Sequence, residues 1–113
     1  MPQIHTIDLE YLGRSGSIAS YVIDGPDGPE IRAANKDAHE AYLNDHGGSI
    51  MSRGPVLAGD GASPIGSVIL MDIPDMAAGR ALLGNEPYFK AGCYQDITFH
   101  RWRFGRVFDR YKL

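Results

Sequence analysis

His39 and Glu86 are the two residues of this 113-residue chain whose pairing would do chemistry. An imidazole with an unperturbed pKa near ~6.5 takes or gives a proton at neutral pH. A carboxylate bonded to it fixes the tautomer and stabilises the imidazolium, as the acid of a catalytic triad does. Each residue also has a plainer reading: a histidine on a helix making one hydrogen bond, and a surface glutamate capping the turn before Pro87. Arg32 lies seven residues before His39, two turns away on the same helical side. Its guanidinium can bind a substrate carboxylate or phenolate bidentately; a surface salt bridge is the alternative. Arg53, before Gly54-Pro55, would put a cation at the mouth of a cleft. Ser67, after Gly66, can bond a ligand or satisfy backbone at the start of a strand.

Other chemistries find no footing in the spacing. His5, His39, His46 and His100 show no HxxxH or Cys/His pattern, so no dedicated metal site is expected. Neither a phosphate-cradling GxxxxGK[ST] loop nor a GxGxxG turn occurs, and no Gly-x-Ser-x-Gly elbow supports a serine hydrolase. Cys93 stands alone between Gly92 and Tyr94, which reads as a buried, inert thiol. Asp37 and Glu40 read as surface charges, and Asp72 and Asp75 as turn and cap residues around Pro74.

The elements that must position these side chains follow from periodicity and turn signals. Residues 18–23 read as a β-branched and aromatic strand closed by Asp24-Gly25-Pro26-Asp27-Gly28-Pro29. Residues 30–46 read as a helix whose apolar positions are Ile31, Ala34, Ala38, Ala41 and Tyr42, stopped by Gly47-Gly48. An adjacent stripe of Arg32, Lys36, His39, Leu43 and His46 puts His39 at the border of the buried face. Residues 49–57 suggest a strand interrupted or ended by Pro55. Residues 67–72 read as a central apolar strand, 74–83 as a second helix, 86–91 as a short helical turn and 94–104 as the last strand. The order β-α-β-β-α-β is the ferredoxin-like one. Residues 1–16, with a possible short strand at 4–9 and a turn-rich break after it, stand apart as an N-terminal extension to a domain at 17–113.

Five short pieces in register carry a resemblance: Arg32 followed after six residues by His39, Arg53-Gly54-Pro55, Gly66-Ser67, Glu86-Pro87-Tyr88 and Ala91-Gly92. Together they resemble the YCII-related family, over roughly residues 18–104. The resemblance implies a dimeric α+β barrel with a histidine–aspartate cleft, in which His39 is the cleft histidine. Glu86 falls where the family carries aspartate, a departure that lengthens the carboxylate arm by one methylene. It further implies lyase, dehalogenase or isomerase chemistry without a cofactor; one relative eliminates chloride from a chlorinated hydroxyhydroquinone. A dimer also answers a physical need, because helices on one side of a four-stranded sheet leave the other side bare.

Composition bounds the rest. Hydrophobic content of 43% and charged content of 22% are those of one ordinary globular domain. No apolar run approaches the ~20 residues that span a bilayer, so no membrane partner is expected. The start, MPQIHTIDLE, lacks the features of a signal peptide, and a single cysteine fits a reducing cytoplasm. Net charge is −3, and the five basic residues after His100 oppose an acidic body. An acidic whole argues against nucleic-acid binding. Two functions are carried forward: a small cofactor-independent enzyme moving a proton on a cyclic or aromatic substrate through His39 and Glu86, with Arg32, Arg53 and Ser67 on the substrate, or a non-catalytic small-ligand-binding module.

Overall fold

The computed structural model describes residues 2–7 and 17–102, with the backbone alone at 5–7. Residues 8–9 of the strand expected at 4–9, the turn-rich break as far as residue 16, and the basic positions Arg103, Arg106, Arg110 and Lys112 lie outside the described residues, as does Phe104. The elements are β1 (Gln3–Ile7), β2 (Ser17–Asp24), α1 (Gly28–Asp45), β3 (Ile50–Leu57), β4 (Pro64–Met71), α2 (Met76–Gly84), α3 (Pro87–Lys90) and β5 (Tyr94–Trp102). Strands β2 to β5 make an antiparallel sheet in the order β5-β2-β4-β3. This is the ferredoxin-like α+β arrangement. The sheet has five strands and not the four expected, because β1 adds to the β5 edge in parallel, Gln3 beside Asp96 through Ile7 beside His100.

Alternation along the strands decides which face is covered. Ile18, Val22, Ile69, Met71, Ile97 and Phe99 are buried and pack with Met76, Leu83 and Tyr88 from the helical layer. Register aligns them, with Val22 opposite both Ser67 and Ile97. The opposite face keeps Tyr21 at 45% and Val68 at 40% exposure. Asp75 accepts the Ala78 N–H at 2.8 Å and so begins α2, as its place next to Pro74 implied.

Two sequence expectations change here. Pro55 neither interrupts nor ends its strand: β3 runs through it, because β3 is an edge strand where a missing N–H costs no inner ladder bond. The buried face of α1 is also rotated from the one expected. Ala34, Ala38 and Ala41 are exposed, whereas Gly28, His39 and Leu43 are buried. Alanine methyls offer little area to drive burial, and His39 is not at a border but 7% exposed, its polarity met inside.

Gly66 sits where β4 passes β2, and a Cβ there would run into the Val22 carbonyl oxygen. Gly66→Ala is therefore expected to lower stability by ~1–3 kcal/mol, the usual range for overpacking. An unchanged urea midpoint would show that the two strands move apart freely.

Candidate active site

The segment Glu86-Pro87-Tyr88 builds one wall of the site from local rules. A residue before proline is held extended, and Glu86 is, at φ −75° and ψ 136°. Proline then opens α3 at the position where its missing N–H is harmless. The Glu86 side chain turns back to accept the Tyr88 N–H at 3.0 Å and the Phe89 N–H at 3.3 Å. Gly92, at φ +82°, ends α3 in the left-handed region and feeds the chain into β5. That accounts for the glycine of Ala91-Gly92.

Glu86 is completely buried. Its Oε1 meets His39 Nδ1 in a short hydrogen bond, and its Oε2 accepts the Tyr94 hydroxyl at 2.6 Å. Glu86 is thus not the surface residue of the plainer reading: one buried carboxylate both caps α3 and meets His39. Burial alone would raise its pKa, but the hydrogen bonds from His39, Tyr94 and the Tyr88 amide prevail and hold it below the usual carboxylate range. Burial and the adjacent Glu86 charge push the Tyr94 phenol well up, so it stays a donor. A carboxylate only accepts, so the His39 proton lies on Nδ1 and Nε2 is left for a ligand. The ring is stacked on Tyr88, centroids 3.7 Å apart and 10° between planes, which fixes its orientation.

A cavity of about 350 Å³ opens beside this pair, within the size range of small-ligand sites. Its lining includes His39, Tyr88, Leu43, Ile69, Pro55 and Pro64, with Arg32, Lys36, Glu40, Arg53 and Ser67. All five residues singled out from the sequence come together: four line the cavity, and Glu86 stands behind His39. Arg32 is already engaged. Its Nε and Nη2 bond the Asp24 carboxylate at 2.6 and 3.1 Å, and Nη2 also donates to the Gly66 carbonyl at 3.0 Å and to Ser67 Oγ at 3.3 Å. Burial opposes its charge, but the Asp24 hydrogen bond outweighs this and raises its pKa. Arg53 is exposed and pairs with Glu40 at 2.6 Å.

Several residues escaped the sequence reading. Tyr94, the second side chain on Glu86, gave no sign beyond being an aromatic in a strand. Asp24, read as a turn residue, is the partner of Arg32. Glu40 is a surface charge as read, its side chain 45% exposed, but it also lines the cavity one turn after Lys36 and pairs there with Arg53. Among the aromatics, Tyr88 lines the cavity, whereas Tyr21 lies on the opposite sheet face and Phe99 is core. Cys93 is buried, and burial with the Asp24 charge pushes its thiol up to about 12, so it is inert as expected. Among the described residues, no three His, Cys, Asp or Glu side chains converge as a metal cluster, and no helix is long and apolar enough to cross a membrane.

The sequence model of the YCII-related domain matches residues 17–103. The chain belongs to the YCII-related family. Among solved structures it is similar to 5-chloro-2-hydroxyhydroquinone dehydrochlorinase (TftG) from Burkholderia phenoliruptrix, in complex with 2,5-dihydroxybenzoquinone. Identity is 28% and the TM-score 0.73, over 79% of this chain and 95% of that one. No curated protein matches the sequence. As a YCII-related protein, this chain carries glutamate where the resemblance led us to expect aspartate. The longer arm still reaches the histidine, because Tyr94 and two backbone N–H groups hold the carboxylate in place.

Proposed function

We propose that this chain is a small cofactor-independent enzyme of the lyase, dehalogenase or isomerase type, with His39 as proton carrier and Glu86 as its orienting base. The observation that carries this reading is the buried Glu86–His39 hydrogen bond at the wall of the cavity. Nε2 takes a proton from a carbon or hydroxyl of a cyclic substrate, and Glu86 stabilises the imidazolium that results. The same nitrogen then returns the proton to another substrate atom or to solvent. The similar TftG is a dehydrochlorinase with a small quinone in its structure, and loss of hydrogen chloride from a ring needs such a base. In this reading the Ser67 hydroxyl and the remaining Nη1 of Arg32 hydrogen-bond the substrate, and Arg53 acts at the mouth.

The test compares wild type with His39→Gln on a panel of hydroxylated ring compounds that includes 5-chloro-2-hydroxyhydroquinone. Equal rates for the two proteins would remove the mechanism. Ligand binding without turnover in wild type would favour a non-catalytic binding module instead.

A homodimer, placed in the cytoplasm, completes the proposal. Tyr21 and Val68 lie exposed on the uncovered sheet face beside Ala19, Ile23, Val56 and Leu70, and a second sheet laid on that face would bury them. Sedimentation is expected to give a dimer at micromolar concentration, and Val68→Lys to shift it toward monomer. A wild-type monomer under those conditions would rule the dimer out.

A further inference from the structure

The cations around the cavity are not equivalent. Arg32 faces a bidentate carboxylate, Asp24, and its charge is matched before any ligand arrives. Arg53 is matched by Glu40. Lys36 lies one turn before Glu40 and its charge acts on that carboxylate, yet it makes no ion pair among the described residues. Of the three cationic residues that line the cavity, the exposed Lys36 is therefore the one without an ion pair among the described residues.

Position adds to the charge count. Lys36 precedes His39 by three residues on α1, and side chains at that spacing are neighbours, with Cβ atoms ~5–6 Å apart. Both line the same cavity, whose other walls include Leu43, Pro55, Pro64 and Ile69. A ring lying between the apolar walls can present one edge to the imidazole and an adjacent oxygen to the ammonium. A phosphate would call for several donors converging at one point, whereas here a single unpaired cation stands one helical turn from the proton carrier.

We propose that Lys36 is the anion anchor of the cavity, and that the substrate is a ring compound carrying an ionised oxygen, a phenolate or enolate. Resting on the proton-transfer reading for its location, this assigns the charge recognition to Lys36 in place of Arg32. It gives Lys36 a chemical task as well: an ammonium beside the ring stabilises the oxyanion that forms when Nε2 removes a proton.

The experiment is calorimetric titration of the full chain with 2,5-dihydroxybenzoquinone, whose hydroxyls are ionised at neutral pH, and with its uncharged dimethyl ether. Wild type should bind the anion better than the ether. Lys36→Met should weaken the anion ~10–100-fold, the range of a lost charge-assisted hydrogen bond, and leave the ether unchanged. Lys36→Arg should restore most of the loss. Arg53→Gln should cost about threefold or less, as an exposed ion pair does. Equal affinity of wild type and Lys36→Met for the anion, an equal loss in Arg53→Gln, or no binding of the anion to wild type would each overturn the proposal. These outcomes are separate from the fate of the proton-transfer reading, which His39→Gln turnover decides.

Discussion

The His39→Gln variant is expected to lose ~10²–10⁴-fold in turnover on any substrate that the wild type converts, the usual contribution of a general acid–base. Glutamine is chosen because His39 is buried and bonded to Glu86. Its amide N–H can still donate to the carboxylate, while no atom of it can carry a proton at neutral pH. His39→Ala would leave Glu86 short of a donor and mix a loss of folding with a loss of chemistry. The loss should fall on kcat, because in the proposed mechanism Nε2 acts as the proton moves. A variant that kept the wild-type kcat/KM would end the acid–base assignment.

Glu86→Ala is expected to lower stability by ~3–5 kcal/mol, since each buried donor left without its acceptor costs ~1–3 kcal/mol. Four donors would lose their acceptor together: His39 Nδ1, the Tyr94 hydroxyl and the Tyr88 and Phe89 amides. The pH dependence has a definite sign. Glu86 has its pKa depressed in the fold, so the stability it adds is complete above the ordinary carboxyl value of ~4.3 and is lost as pH falls through the depressed value. Wild type should lose urea resistance over that acid range, and Glu86→Gln, which does not titrate, should lose less there. Parallel acid limbs for the two proteins would mean the carboxylate contributes nothing as an anion. Turnover should suffer less in Glu86→Gln than in His39→Gln, because in the proposed mechanism Glu86 orients the proton carrier without itself reaching the substrate.

Much of the scaffold was legible because local chemistry writes it. Gly47-Gly48 stops α1, Asp75 starts α2, and the apolar run into Met71 is a strand buried on its helix side. What stayed hidden depends on partners distant in sequence. Nothing in residues 3–7 announces that they will lie against residues 96–100. The alanines of α1 keep a helical period without the area to decide a face, so the inward face belongs to His39 and Leu43 instead. His39 can be buried because Glu86, forty-seven residues later, accepts a hydrogen bond from its Nδ1–H. The meeting of these two residues was suggested by their types and by family resemblance. The clamp that makes a glutamate serve, Tyr94 with the first amides of α3, was not, because it exists only once β5 lies beneath the turn.

The continuity of β3 through Pro55 bears on solubility as well as shape. An outer strand presents unpaired backbone groups that invite another chain to add to the sheet and, repeated, to grow an aggregate. On β3 that invitation is blunted: Pro55 has no N–H to offer, Arg53 places a charge on the strand, and the irregular pairing between Ile50 and Ser52 disturbs the ladder. The far side of β5 is covered by β1. The residues that give the cavity its mouth thus also guard the sheet, and replacing Pro55 by a β-branched residue would sharpen the strand at the risk of making it adhesive.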